Sequence, residues 1–247
     1  MTMTDWLRGP WSGAVMLLLG LSVALPAGAQ QDQADEPEPI EFSEAETRMW
    51  LTDQLSAVTE PVTLRYDFRK SGSFEAGFED EVRFVIEKVN EDGSKAASVQ
   101  FFSGERQFPV PPVSNTTVNP ILKIYLQGDV YEMNRLTDPE GAARERWRYF
   151  QRRVKLALAE TAEVEPHTFE FDGRQWQGHV IRFQPYVNDP KRDQFERFAD
   201  KRYEVIVSDD LPGYIYRVET VVPGDGENGE PLIREVLELD AIESVQE

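Results

Sequence analysis

The sequence has no cysteine and only two histidines in 247 residues. Without cysteine there is no disulfide, no thiolate metal site and no cysteine nucleophile, so the fold must be held by its core. Bases are scarce too: 26 lysines and arginines stand against 45 aspartates and glutamates, a net charge of −19. That excess argues against nucleic acid, and against anionic lipid headgroups as a main partner, because both are repelled. No serine sits in a G-x-S-x-G elbow. Carboxylates are so numerous that no pair stands out as a glycosidase dyad. No cofactor is expected.

Long apolar runs are also missing, with one exception. Residues 14–25 (AVMLLLGLSVAL) follow Arg8 and precede Pro26, Ala27, Gly28 and Ala29. This is the layout of a secretory signal, so residues 1–29 are expected to be cleaved after Ala29. Twelve residues fall short of the ~20 that span a bilayer. No cysteine at the cut can carry a lipid, and no twin arginine precedes it. The mature chain is expected to be soluble, without a transmembrane segment, and periplasmic or secreted. Residues 30–42 (QQDQADEPEPIEF) read as a disordered acidic linker with little to bury. Residues 43–247 read as a single domain. About 205 residues suffice for a core, since a domain of that size buries roughly 70% of its unfolded surface.

Within the domain the hydrophobic period changes several times. Residues 43–58 read as a short helix, with Ser43 and Glu46 at capping-box spacing and Met49, Trp50 and Leu55 on its apolar side. Val62, Leu64, Tyr66 and Phe68 then alternate with polar residues, as do Val82, Phe84 and Ile86, and Ala97, Val99 and Phe101 after a turn at residues 90–94. Residues 107–118 form a proline-rich loop that includes the formal glycosylation sequon Asn115-Thr116-Thr117. Asn119-Pro120 and Asp138-Pro139 each offer an N-cap followed by proline. They predict two short helices broken at Gly128, then a longer helix ending near Glu160. Strands resume over residues 164–171, 174–184, 203–208, 214–222 and 232–242, with a short helix at 190–199 capped by Asp189. Asp172-Gly173 is a two-residue hairpin turn, and Leu211-Pro212-Gly213 suits a type II turn. Residues 225–229 (DGENG) are acidic but lack calcium-loop spacing, and read as a hairpin loop.

Eight strands with a mid-chain helical insert predict an α+β fold: one curved antiparallel sheet, half-barrel or barrel-like, with helices on one face. This arrangement of signal, strand count and mid-chain helices over residues 60–245 resembles the exported lipoprotein carriers of the LolA/LolB type. The resemblance implies a curved sheet that holds a lipid against covering helices.

Two local features carry further expectations. Residues 144–155 (RERWRYFQRRVK) hold six bases and one acid, a net of +5 that leaves −24 on the rest. Ala143, Trp147, Phe150, Val154 and Leu158 form the apolar stripe of this helix. The bases beside the stripe are expected to be neutralised by the chain's own carboxylates, their stems covering apolar surface; an external anionic partner is the alternative. The second feature is the histidine pair. In simple register the Asp172-Gly173 hairpin pairs His167 with Gly178 and turns His179 to the other face. Trp176 lies on one phase and Ile181 and Phe183 on the other, so a bulge at Gly178 is expected. It would bring Glu165, His167 and His179 to one side, a set able to hold a divalent metal.

The leading functional expectation is a non-enzymatic exported binding protein, a carrier of an apolar or lipid-like ligand or a binder of an envelope partner. Phe108, Ile124 and Trp147 are its candidate pocket residues, and Phe101, Phe102 and Tyr125 are further aromatics nearby in sequence. The loop at 107–118 and the helices after Asn119 are candidate lids. The alternatives are a metal-assisted hydrolase using Glu165, His167 and His179, and an envelope assembly or scaffolding factor with a packed interior.

Overall fold

Two antiparallel meanders meet along the first and last strands of the chain. The first comprises β1 (Val62–Ser71), β2 (Phe78–Val89) and β3 (Lys95–Phe101), with two short edge strands, β4 (Phe108–Pro109) and β5 (Val113–Thr116). The second runs from β6 (Glu163–Phe171) and β7 (Arg174–Phe183) through β8 (Arg202–Val207) and β9 (Ile215–Val222) to β10 (Ile233–Ser244). β10 pairs with β1, giving one ten-stranded sheet in the order β4-β3-β2-β1-β10-β9-β8-β7-β6, with β5 also on β3. The computed structural model describes residues 41–138, 140–141, 145–224 and 229–244. The expected signal, most of the linker and residues 225–228 lie outside these.

The α+β expectation holds, with ten strands in place of eight because the 107–118 loop pairs with β3 at both its ends. Among the described residues the sheet is open. Register shifts at Arg65/Tyr66, Ile86/Lys88 and Ile206/Val207 bend it locally.

The helices follow their caps. Ser43 and Glu46 form the capping box on α1 (Glu44–Glu46), which continues as a π turn and stops at Leu51, short of Val58. Asn119 caps α2, with Pro120 in its first turn. α2 (Pro120–Thr137) passes through Gly128 unbroken, because its buried residues Leu122, Tyr125, Leu126 and Met133 keep one helical phase across the glycine. α3 spans Trp147–Glu160, starting later than Asp138-Pro139 suggested. The segment after Asp189 is two 3-10 turns, Arg192–Gln194 and Glu196–Asp200.

One sheet face carries the main core: Leu64, Tyr66, Val82, Phe84, Ile86, Ile181, Val205, Val218 and Leu237 are buried there beneath the helices. Each such side chain contributes on the order of 1.5–3 kcal/mol. The opposite face is a ladder of ion pairs over most of its width, including Arg69–Glu79 at 2.7 Å, Arg182–Glu204 at 2.8 Å and Arg234–Glu219 at 2.6 Å. At the β6–β9 end that face turns apolar. Phe169 stacks on Tyr216 at 4.2 Å, and Trp176, Val180 and Ile206 are buried with them.

That second apolar layer corrects the bulge at Gly178. The β6–β7 ladder runs in simple register from Phe171↔Arg174 to Glu163↔Arg182, with His167 opposite Gly178. Both phases of β7 are apolar because both of its faces are covered, so the alternation needs no reset. Gly178 serves close approach instead: a Cβ there would lie 2.1 Å from the Val207 carbonyl oxygen. Gly178→Ala is therefore expected to lower stability by about 2 kcal/mol, read as the shift in urea midpoint. An unchanged midpoint would show that the backbone of β8 yields freely.

Candidate functional site

α2 is fastened to the sheet by polar groups set into an apolar seam. At its start the Asn119 carboxamide accepts from the Ile121 N–H (3.0 Å) and donates to the Gly213 carbonyl (2.8 Å), while Gln54 accepts from the Asn119 N–H (3.0 Å). In the middle, Asp129 pairs with Lys201, both side chains 1% exposed. It also accepts from the Tyr203 hydroxyl at 2.6 Å. Tyr203 in turn meets the Tyr186 hydroxyl at 3.3 Å, and the Tyr186 ring packs on Phe150 of α3. Nearer its end, Glu132 lies 2.8 Å from Lys70 of β1, which also reaches Glu75 (2.7 Å) and Glu235 of β10 (3.2 Å).

The electrostatics follow from this geometry. Burial alone would raise the Glu132 pKa, but hydrogen bonds from Arg135 and Lys70 pull it down to about 2. Burial alone would lower the Lys70 pKa, and its three carboxylates raise it well above the usual lysine value. Tyr203 is pushed far above its ordinary range by burial and by the Asp129 charge.

Beside this seam, at the β4 edge, phenylalanines converge. The strand registers set Phe68, Phe78, Phe101 and Phe108 on the helix-covered face at neighbouring positions. Phe102 joins them at 4.8 Å from Phe68, 5.7 Å from Phe78 and 4.7 Å from Phe101, between ring centroids. Phe102 has φ +64, a left-handed conformation that is a genuine outlier for a bulky residue. Arg106 covers the Phe78 ring at 4.5 Å, and Phe108 at the rim is 38% exposed.

Of the candidate pocket residues, Phe108 therefore belongs to this corner. Ile124 and Trp147 pack from α2 and α3 against the core, Trp147 with its ring 5.3 Å from Tyr131. Between helices and sheet the large side chains of Tyr66, Tyr186, Tyr203, Phe84 and Phe150 are fully buried. A hollow of about 150 Å³ lies on the opposite face, bordered by Asp67, Arg69, Arg217, Arg234 and Glu238.

The candidate metal residues separate. His167 and His179 occupy opposite faces of the β6–β7 ladder. Glu165 is held by Arg182 at 2.8 Å, and His179 Nε2 lies 3.0 Å from an Arg48 nitrogen. Among the described residues no three histidine, aspartate or glutamate side chains are grouped to hold a metal. The metal-assisted hydrolase loses its site.

The basic helix is held on its inner side by the chain's own groups. Arg153 Nε lies 2.6 Å from the buried Asp189 carboxylate, which also accepts from Tyr149 at 2.7 Å. Arg146 donates to the Thr137 carbonyl at 3.0 Å and lies over Phe150 and Phe195. The buried ion pair Asp129–Lys201 went unread in the sequence. Its signal was there: Asp129 sits on the phase of Leu122, Tyr125, Leu126 and Met133, where a charge is out of place.

No protein-family model matches the chain, and no curated protein matches it. Among solved structures, a LolA superfamily protein from Nitrosomonas europaea is similar at 11% identity and a TM-score of 0.22, over 82% of this chain and 94% of that one.

Two outcomes test the seam. Lys201→Met alone leaves Asp129 buried and unpaired, and is expected to cost about 3–5 kcal/mol in urea unfolding. The double variant Lys201→Met/Asp129→Leu is expected to recover most of that loss; equal losses in both would show that the pair carries no mutual dependence. The second outcome concerns acid. The folded-state pKa of Glu132, about 2, lies below its ordinary 4.5. Its contribution is therefore complete above the ordinary value and lost as pH falls through the folded one. Stability of Glu132→Gln should fall less steeply than wild type between those two pH values, and parallel curves would exclude the linkage.

Proposed function

We propose that this protein is an exported, non-enzymatic binding protein that receives an apolar, acyl-chain-like ligand at the phenylalanine corner. The observation that carries the reading is the corner itself. Phe68, Phe78, Phe101 and Phe102 pack together there, and the exposed Phe108 ends the series at the sheet edge. Holding Phe102 left-handed costs on the order of 1–3 kcal/mol, and such cost gathers at binding sites. Arg106 adds one cation at the rim, which suits a ligand with an anionic end. α2 is the cover, and its polar fastenings suit an element that must leave and return to one register.

Export to a periplasm is part of the proposal. It is supported by the signal-like layout of residues 8–29 and by the absence of cysteine. No helix among the described residues is long and apolar enough to cross a membrane. A second reading, an envelope assembly or scaffolding factor, is favoured by one observation: the large aromatics fully buried between helices and sheet.

Native mass spectrometry on the exported protein, purified without detergent, separates the two. An added mass in the lipid range that is lost on denaturation, with uptake of an apolar fluorescent probe, supports the ligand reading. Phe108→Asp should then weaken probe binding roughly tenfold, about 1.4 kcal/mol, while leaving the urea midpoint in place. A bare chain mass with no probe uptake would sink the ligand reading and leave the scaffolding factor standing.

A further inference from the structure

The outward side of α3 carries bases that have no ion pair among the described residues. Arg153 and Arg146 turn inward to Asp189 and to backbone carbonyls. Arg152 and Lys155 point outward, exposed, and have no ion pair among the described residues. Arg148 has one, with Glu145 at 2.6 Å, both well exposed and therefore of little weight. α2 adds a further base. The contacts Tyr131–Trp147 and Gln127–Gln151 run antiparallel at four-residue steps, which brings Lys123, exposed and unpaired, level with Lys155. Lys191 lies over the Tyr149 ring at 4.7 Å on the adjoining flank.

Unpaired bases are conspicuous here because carboxylates abound. On the sheet, arginines 65, 69, 83, 182, 217 and 234 have acidic partners, while Arg174 lies over the Trp176 ring and Arg202 has no ion pair among the described residues. Lys123, Arg152 and Lys155 likewise have none, although acids outnumber bases 45 to 26. The same surface also exposes apolar groups, with Leu156 39% and Tyr131 41% accessible beside the bases.

We propose that this α2–α3 face docks on an anionic lipid surface. Bases flanking a leucine and aromatic rings on one helical face are the pattern that settles at a headgroup layer. The net charge of −19 opposes approach from a distance, and screening over about 8 Å confines that repulsion. On contact the nearby bases dominate. The binding is therefore oriented, weak and sensitive to salt. It is carried by residues apart from the phenylalanine corner and stands whether or not that corner takes a ligand.

The test is co-sedimentation of the exported protein with vesicles of equal parts phosphatidylglycerol and phosphatidylcholine, against vesicles of phosphatidylcholine alone. Wild type is expected to sediment with the anionic vesicles at low salt and to be released as salt rises. In Lys123→Gln/Arg152→Gln/Lys155→Gln, all exposed positions, affinity is expected to fall on the order of a hundredfold, about fivefold per base. Circular dichroism of the variant confirms that the fold is kept. Equal binding to both vesicle types, or undiminished binding by the variant, overturns the proposal. So does a wild type that ignores vesicles yet is retained by immobilised polyglutamate, which would assign the face to an acidic protein.

Discussion

The pairing of β1 with β10 is the constraint on which everything else rests. It joins Val62 to Ser244 and Ser71 to Arg234, so almost the whole described chain is enclosed between two adjacent strands. Each meander is local and can form from neighbouring hairpins, but neither covers its apolar face alone. The long closure orders the loop entropy late, and a contact so distant in sequence is slow to find. Once made, it turns two small sheets into one surface broad enough to bury two helices.

The α2 seam is keyed to that closure. Lys70 and Glu235 face each other as a cross-strand pair in the β1–β10 ladder, and Glu132 of α2 completes the group. Asp129 meets Lys201 just before β8, on the other meander. The helix thus reads both halves of the sheet at once, and its charges find partners only when the halves stand in register. Buried ion pairs are poor sources of net stability because desolvation offsets most of their attraction. Their effect here is selective: an α2 shifted by one turn would leave Asp129 and Glu132 buried without partners, so one seating is favoured over its neighbours.

What could be read from the sequence was what local chemistry dictates. Alternation located the strands. Asp172-Gly173 specified a hairpin in which both residues have positive φ, 50° and 68°. Ser43 with Glu46, and Asn119 with Pro120, marked helix starts. The errors arose where a second layer altered the rule. Trp176 and Ile181 lie on opposite phases of β7, which is a conflict only if one face is dry; with Phe169, Tyr216 and Ile206 covering the other, both phases are satisfied and Gly178 is freed for a different task. Gly128 suggests a break because propensity disfavours it, yet the core side of α2 runs past it uninterrupted. At the candidate site, Phe108 could be named as an aromatic of the proline-rich loop. Its neighbours Phe68 and Phe78 could not be joined to it, since only the pairing of β1 with β2 brings them together.

The departures from ordinary local chemistry are unevenly spread. The layer at the β6–β9 end is made of neutral aromatics and aliphatics in common conformations. Around α2 the rules are broken repeatedly. A lysine and an aspartate are sealed from water, a second lysine sits among three carboxylates, and two bulky residues are left-handed: Phe102 at the corner, and Tyr214 beside the Gly213 carbonyl that holds Asn119. A cover needed only to fill a core could be fastened more cheaply by leucine and valine. Costs that gather at one element, while the rest of the sheet follows local preference, mark that element as selected for something other than packing. It is the cover, more than the sheet beneath it, that distinguishes this molecule from a merely stable one.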